Sequence, residues 1–247
     1  MNLSTLKRIA LVTGAGRRVG RAIALSLADA GWSIAVHYRK SRDDAEALVS
    51  AIKAKGVAAH AISANLSIEK EVAALIPACE RSLGPISCLI NNASTFENDT
   101  VVTSTRDMWD THMEVNLRAP FALSQAFYAQ LPKNTNGSII NIIDQRVWNL
   151  SADFPTYTLS KAGLWALTQI LARAMAPAVR VNGVGPGPTM QSIHQSAKDF
   201  EEECSAMPLA HQVSTEDICS AVHFILQSSA VTGQMIAVDA GQHMGVR

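Results

Sequence analysis

The sequence predicts a single-domain α/β fold, a doubly wound parallel sheet of seven strands with helices on both faces. Three observations predict it. Short β-branched apolar runs alternate with longer segments from end to end, each run places apolar residues on both of its faces, and the intervening segments carry apolar residues at three- and four-residue spacing. The runs are RIALVT (8–13), SIAVHY (33–38), AAHAIS (58–63), ISCLIN (86–91), SIINII (138–143), VRVNGV (179–184) and QMIAVD (234–239). Strands without a polar face belong in a parallel sheet covered on both sides. Val19, Ile23, Leu27 and Ala30 mark one helical stripe; Leu164, Leu167, Thr168, Leu171 and Met175 mark another. No linker, repeat or low-complexity segment interrupts residues 1–247, so one domain is expected.

The longest stretch without a pattern is 185–212, GPGPTMQSIHQSAKDFEEECSAMPLAHQ. Its Pro-Gly-Pro start predicts irregular backbone, its middle a short helix, and its length a lid over a site, around 188–212. Lys plus Arg equals Asp plus Glu at 21 each, so no global field favours nucleic acid or a membrane surface. Cys79, Cys88, Cys204 and Cys219 form no C-x-x-C pair or metal-ligand spacing, which suits reduced thiols and no metal. No apolar run approaches the roughly 18 residues of a membrane helix. The expectation is a soluble, cytoplasmic protein acting on a small molecule.

The first strand-to-helix turn, ALVTGAGRRVGRAIALSLADAG, places Gly14, Gly16 and Gly20 where backbone must approach a pyrophosphate. Its spacing is T-G-x-x-x-R-x-G, with Arg17 and Arg18 flanking the phosphates. After the second strand, Arg39, Lys40, Ser41 and Arg42 stand where an NAD site wants an acid. A cationic cluster there pairs with a 2′-phosphate, which selects NADPH.

Tyr157 and Lys161, four apart, share one helix face. An ammonium beside a phenol is expected to lower the phenol pKa from about 10 towards working pH, so that Tyr157 can exchange a proton during hydride transfer.

These segments together resemble the short-chain dehydrogenase/reductase family along essentially the whole chain. They are TGAGRRVG (13–20), NNAS (91–94), Asn116 in VNLRAPF, Tyr157-x-x-x-Lys161, RVNGVGPG (180–187) and VTG (231–233). The resemblance implies a Rossmann fold. It also implies cofactor contacts from Gly14, Arg17, Arg18, Val19, Gly20, Tyr38, Arg39, Lys40, Ser41, Asn65, Leu66, Asn92, Ala93, Ser94, Tyr157, Lys161, Pro186 and Gly187. Lys161 is implied to bond the nicotinamide ribose, and Asn116 to hold the water of a proton relay.

Thirteen residues before Tyr157, where most of the family has serine, stands Asp144. A carboxyl group can donate a proton if burial raises its pKa, or accept a bond from a substrate amino group if ionised. Both suit a flat heterocycle with a reducible C=N bond. With Arg18, HYRKS (37–41) and NNASTF (91–96), Asp144 makes the sequence similar to the pteridine reductase and dihydromonapterin reductase branch. That likeness implies Arg18, Ser94, Phe96, Asp144 and Tyr157 as substrate contacts, with Phe96 stacking on the ring. It further implies a homotetramer built on helices around 107–131 and 157–176 and the last strand, with Arg247 reaching a neighbouring site. Two other functions fit the residues: a carbonyl reductase of acyl carriers, sugars or polyols, and a catalytically silent dinucleotide sensor.

Overall fold

The computed structural model describes residues 6–191 and 195–245. All seven expected strands form, as β1 (Ile9–Val12), β2 (Ser33–Tyr38), β3 (Ala59–Ser63), β4 (Cys88–Asn91), β5 (Gly137–Ile142), β6 (Val179–Pro186) and β7 (Met235–Val238). They make one parallel sheet in the order β3-β2-β1-β4-β5-β6-β7. Alternate residues of one strand feed opposite cores. Val12 packs with Ile23, Leu27, Leu48 and Ile225, whereas Leu11 packs with Leu75, Phe127 and Leu164. That period of two explains why most of the strands are buried on both faces, whereas the edge strand β3 leaves His60 and Ser63 exposed. Each such fully buried Leu or Ile contributes about 1.5–3 kcal/mol.

Helices α1 (Arg18–Asp29), α2 (Arg42–Ala54) and α3 (Glu69–Leu83) follow the first three strands. Ala30, expected on the buried stripe of α1, caps that helix and is exposed. After β4 come α4 (Arg106–Met113) and α5 (Ala119–Gln130), joined by a π-helical turn, Glu114–Arg118. The helix α6 (Pro155–Ala174) buries Leu164, Leu167, Thr168 and Leu171 as their spacing requires. Two short-range signals then set the lid. Capping boxes, Ser196 with Asp199 and Ser214 with Asp217, start α7 (Ala197–Ala206) and α8 (Thr215–Gln227).

The irregular backbone expected from residue 185 is corrected, because β6 continues through Gly185 and Pro186. These two residues pair only with β7, the β5 ladder having ended at Ile142–Val184, so the missing proline N–H falls where no second strand runs. No helix among the described residues is long and apolar enough to cross a membrane. The four cysteines are free and buried.

Strand order reverses between β1 and β4, and at the carboxyl ends of these strands the loops part into a crevice. Two adjoining clefts of about 390 and 700 Å³ occupy it, sharing Arg18, Val19, Asn92 and Ser94.

Candidate active site

The smaller cleft is lined by Gly14, Arg17, Arg18, Val19, Gly20, Arg39, Asn65, Leu66, Asn92, Ala93 and Ser94, all expected from the sequence. Gly14 has φ +62°, and a Cβ on Gly20 would strike the Gly14 carbonyl oxygen, so the turn needs both glycines. The first turn of α1 has no side-chain cap, which leaves its N–H groups directed at the crevice. Thr13 ties the loops together: its hydroxyl accepts from the Asn92 and Ala93 N–H groups, both at 2.9 Å. With Arg39 on the cleft wall, this arrangement fits the diphosphate and 2′-phosphate of NADPH.

Some of the expected residues have protein partners of their own, and others lie off the cleft. Arg17 is engaged by Asp44 of α2. The Arg18 guanidinium spans to the lid, donating to the carbonyls of Met190 (2.9 Å) and Gln191 (3.0 Å). Tyr38 is buried with its hydroxyl accepting from Arg42 at 3.2 Å, and neither it nor Lys40 nor Ser41 lines the cleft. In an extended strand end, adjacent side chains face opposite ways, so only part of HYRKS can meet one ligand.

His37, missed in the sequence, does line the cleft. Gly14 N–H donates to its Nδ1 (2.9 Å), leaving Nε2–H to donate to the Ala64 carbonyl (3.0 Å). Burial pushes the His37 pKa from 6.5 down to about 4. The folded form therefore refuses a proton that the unfolded chain accepts. Stability is full above pH 6.5 and is lost as pH falls through 4, by roughly 3 kcal/mol. Urea unfolding across this window is expected to show a steeper pH slope for the native chain than for His37→Asn; equal slopes would refute the assignment.

The larger cleft holds the chemistry. Tyr157 and Lys161 project from the first turns of α6, and Asp144 follows the end of β5. The Tyr157 hydroxyl donates to Asp144 Oδ2 at 2.8 Å. Asp144 Oδ1 accepts the Arg146 N–H at 2.8 Å, capping the 3-10 turn Gln145–Val147. Lys161 Nζ donates to the Ile142 carbonyl (2.9 Å) and lies 5.7 Å from the Tyr157 ring centroid. The expected lowering of the tyrosine pKa is overturned. Burial and the Asp144 carboxylate hold the phenol proton well above the usual range, because a negative neighbour in a dry site opposes phenolate. Burial instead pushes Lys161 down to about 8.

Phe96 stands edge-on to Tyr157, ring centroids 4.8 Å apart, and tilted on Phe154 at 4.8 Å. Ser94, Pro186 and Gly187 line this cleft as expected, with Met190, Gln195, Phe200 and Glu203 from the lid segment. Asn116 lies in the π-turn, fully buried, with its side chain hydrogen-bonded to its neighbours. Its Oδ1 accepts from Thr95 N–H (2.9 Å) and Ser94 Oγ (3.2 Å), while Nδ2 donates to the Thr95 carbonyl and to Ser160 Oγ, both at 3.0 Å. It braces the loop that carries Phe96. A second brace was not legible in the sequence. Thr156 donates to Asp99 Oδ2 (2.7 Å) and bonds His112 Nδ1 (2.7 Å), whose Nε2 accepts from Glu97 N–H (3.1 Å). Trp148 lies outside the cleft, packed on Trp165 and His243. Arg247 lies outside the described residues.

A Rossmann crevice with a Tyr-Lys pair on the helix after β5 defines a nicotinamide-dependent oxidoreductase. Residues 14–243 match the family model described as enoyl-(acyl carrier protein) reductase, and the chain belongs to the short-chain dehydrogenase/reductase family. It is 34% identical over 244 residues to a 3-oxoacyl-[acyl-carrier-protein] reductase of Staphylococcus aureus, spanning 97% of this chain and 99% of that protein. Among solved structures it is similar to the alternative dihydrofolate reductase 1 (FolM) of Brucella canis complexed with NADP. The TM-score is 0.93 with 40% identity, covering 96% of this chain and 94% of that one. It also resembles the angucycline C-6 ketoreductase LanV with bound NADP, at TM-score 0.89 and 29% identity over 96% of each chain.

Proposed function

We propose that this NADP-dependent reductase of the short-chain family acts on a dihydropterin-type ring. The single observation that carries the reading is the hydrogen bond between Tyr157 and Asp144, 2.8 Å, in a cleft walled by Phe96. A serine at 144 would offer one weak donor; a carboxylate offers a strong acceptor for the N–H and amino groups of a pterin edge. The likeness to the Brucella alternative dihydrofolate reductase supports the same substrate class.

NADPH, when bound, supplies the hydride. Tyr157 holds a proton against loss to water and passes it to the substrate nitrogen, and Asp144 orients both the phenol and the ring. Lys161 carries positive charge beneath the phenol, and Phe96 covers the ring face. A second reading, reduction of 3-oxoacyl thioesters, is favoured by the 34% identity to the S. aureus enzyme. Loss of NADPH absorbance with dihydrobiopterin and with an acetoacetyl thioester separates the two. Turnover of the thioester alone would remove the pterin reading.

Cofactor selection has its own test. Arg39→Ala with Lys40→Ala is expected to raise the KM for NADPH about tenfold while the KM for NADH changes little. An equal rise for both coenzymes would remove the 2′-phosphate from Arg39. The homotetramer is part of this proposal. Trp109, Tyr128, Leu159 and Ile170, on the helices expected at the interfaces, are exposed in the single chain.

A further inference from the structure

We infer that Arg146 is an anion-binding residue for an acidic arm of the substrate, and that the ring reduced here is a folate-type dihydropterin carrying a carboxylate rather than a neutral one. This rests on the pterin reading and adds the group that recognises what is attached to the ring. Arg146 lines the same cleft as Asp144, Phe96 and Tyr157. Its guanidinium lies over the Phe154 ring, 5.2 Å from the centroid, and donates from Nη1 to Ser151 Oγ at 2.7 Å. No carboxylate of the described residues forms an ion pair with it.

The two acids of the cleft are engaged elsewhere. Asp144 is held by Tyr157 and by the Arg146 main chain. Both oxygens of Glu203 accept amide protons, from Gln195 (2.9 Å) and Gln242 (3.0 Å). The cleft therefore contains an oriented guanidinium whose one side-chain hydrogen bond to the described residues goes to Ser151, and planar forks of that kind recognise carboxylates bidentately. Phe154, which supports it, has φ +55° and ψ +50° directly before Pro155, a left-handed backbone that a non-glycine residue adopts only when its surroundings impose it. The Phe154 N–H is fixed to the Asp99 carbonyl at 3.1 Å. The resulting series Tyr157, Phe96, Phe154, Arg146 leads from the proton site to a cation along one wall. A flat ring at its first members places an acidic arm at its last.

Two measurements on the full-length chain test this. The first is steady-state reduction of dihydrofolate and of dihydrobiopterin by wild type and by Arg146→Gln. The ratio of kcat/KM for dihydrofolate to that for dihydrobiopterin is expected to fall about tenfold in the variant, through KM. Equal losses on both substrates would overturn the proposal and assign Arg146 to the proton site. The second is calorimetric binding of N-(4-aminobenzoyl)glutamate, the arm without the ring, to the NADP⁺-loaded protein. Binding that weakens about tenfold in Arg146→Gln and with added salt supports the site even if no pterin is turned over, in which case the ring assignment alone fails. Pterin turnover with no arm binding by wild type overturns the anion site and leaves the pterin reading intact.

Discussion

Asp144→Ser is expected to lower kcat for dihydropterin reduction about a hundredfold, the scale of a positioned acid–base group, while the dissociation constant for NADPH stays close to wild type. The side chain touches Tyr157 and the Arg146 N–H, and it lines only the larger cleft, away from the phosphate loop. Serine keeps a hydroxyl but removes a negative charge from beside the phenol. Because burial and, after it, that charge raise the Tyr157 pKa, removal of the charge lets the pKa fall. The high-pH limb of the residual activity, where Tyr157 loses its proton, is therefore expected to move towards lower pH. A pH–rate profile with fluorescence titration of NADPH checks both statements. If cofactor binding and turnover decline together, Asp144 is a structural cap of the 3-10 turn and the proposed mechanism loses its centre.

Lys161→Met is expected to abolish measurable turnover and yet to stabilise the fold. Lys161 is buried, and burial holds its pKa near 8 against an ordinary 10.5. The folded state thus carries a cation at a cost of a few kcal/mol at neutral pH. Methionine has a similar shape without the charge, at the loss of one bond to the Ile142 carbonyl, about 1 kcal/mol. A net gain of about 1–2 kcal/mol would raise the Tm by a few degrees. The sign follows from the lowered pKa: the cost is complete below about pH 8 and absent above 10.5, so the gain should vanish in strongly alkaline buffer. A lowered Tm at pH 7 would show instead that Asp144 compensates the ammonium fully. Function here retains a charge that stability alone would discard.

The strands were legible because burial on both faces leaves an uninterrupted apolar run in Ile9–Val12 and one broken only by the buried Asn141 in Ile139–Ile142. The glycine loop was legible because Gly14 and Gly20 meet backbone constraints that no other residue satisfies. The Tyr157 and Lys161 pair was legible by its i,i+4 spacing on a helix, and Asp144 through the resemblance to the family, in which its position holds a serine. Their charges were not. The sequence places Lys161 four residues from Tyr157, but only the fold buries the phenol and puts the Asp144 carboxylate 2.8 Å from its hydroxyl, which reverses the expected pKa shift. His37, Asp99 and His112 were invisible for a related reason. Each is a polar residue whose partners lie elsewhere in the chain: Gly14 and Ala64 for His37, Thr156 for Asp99 and His112.

What the sequence determined by itself is periodicity and local chemistry: seven buried strands, the helices between them, a phosphate turn, and an acid in place of a hydroxyl. Tertiary structure decided which groups face one another. Arg18 reaches the lid, Asn116 holds the Phe96 loop, and Arg146 rests on Phe154. Hydrophobic patterning is written along the chain because burial acts on each residue in turn. Electrostatics is not, because its energy depends on distances and desolvation that exist only after distant segments have packed together.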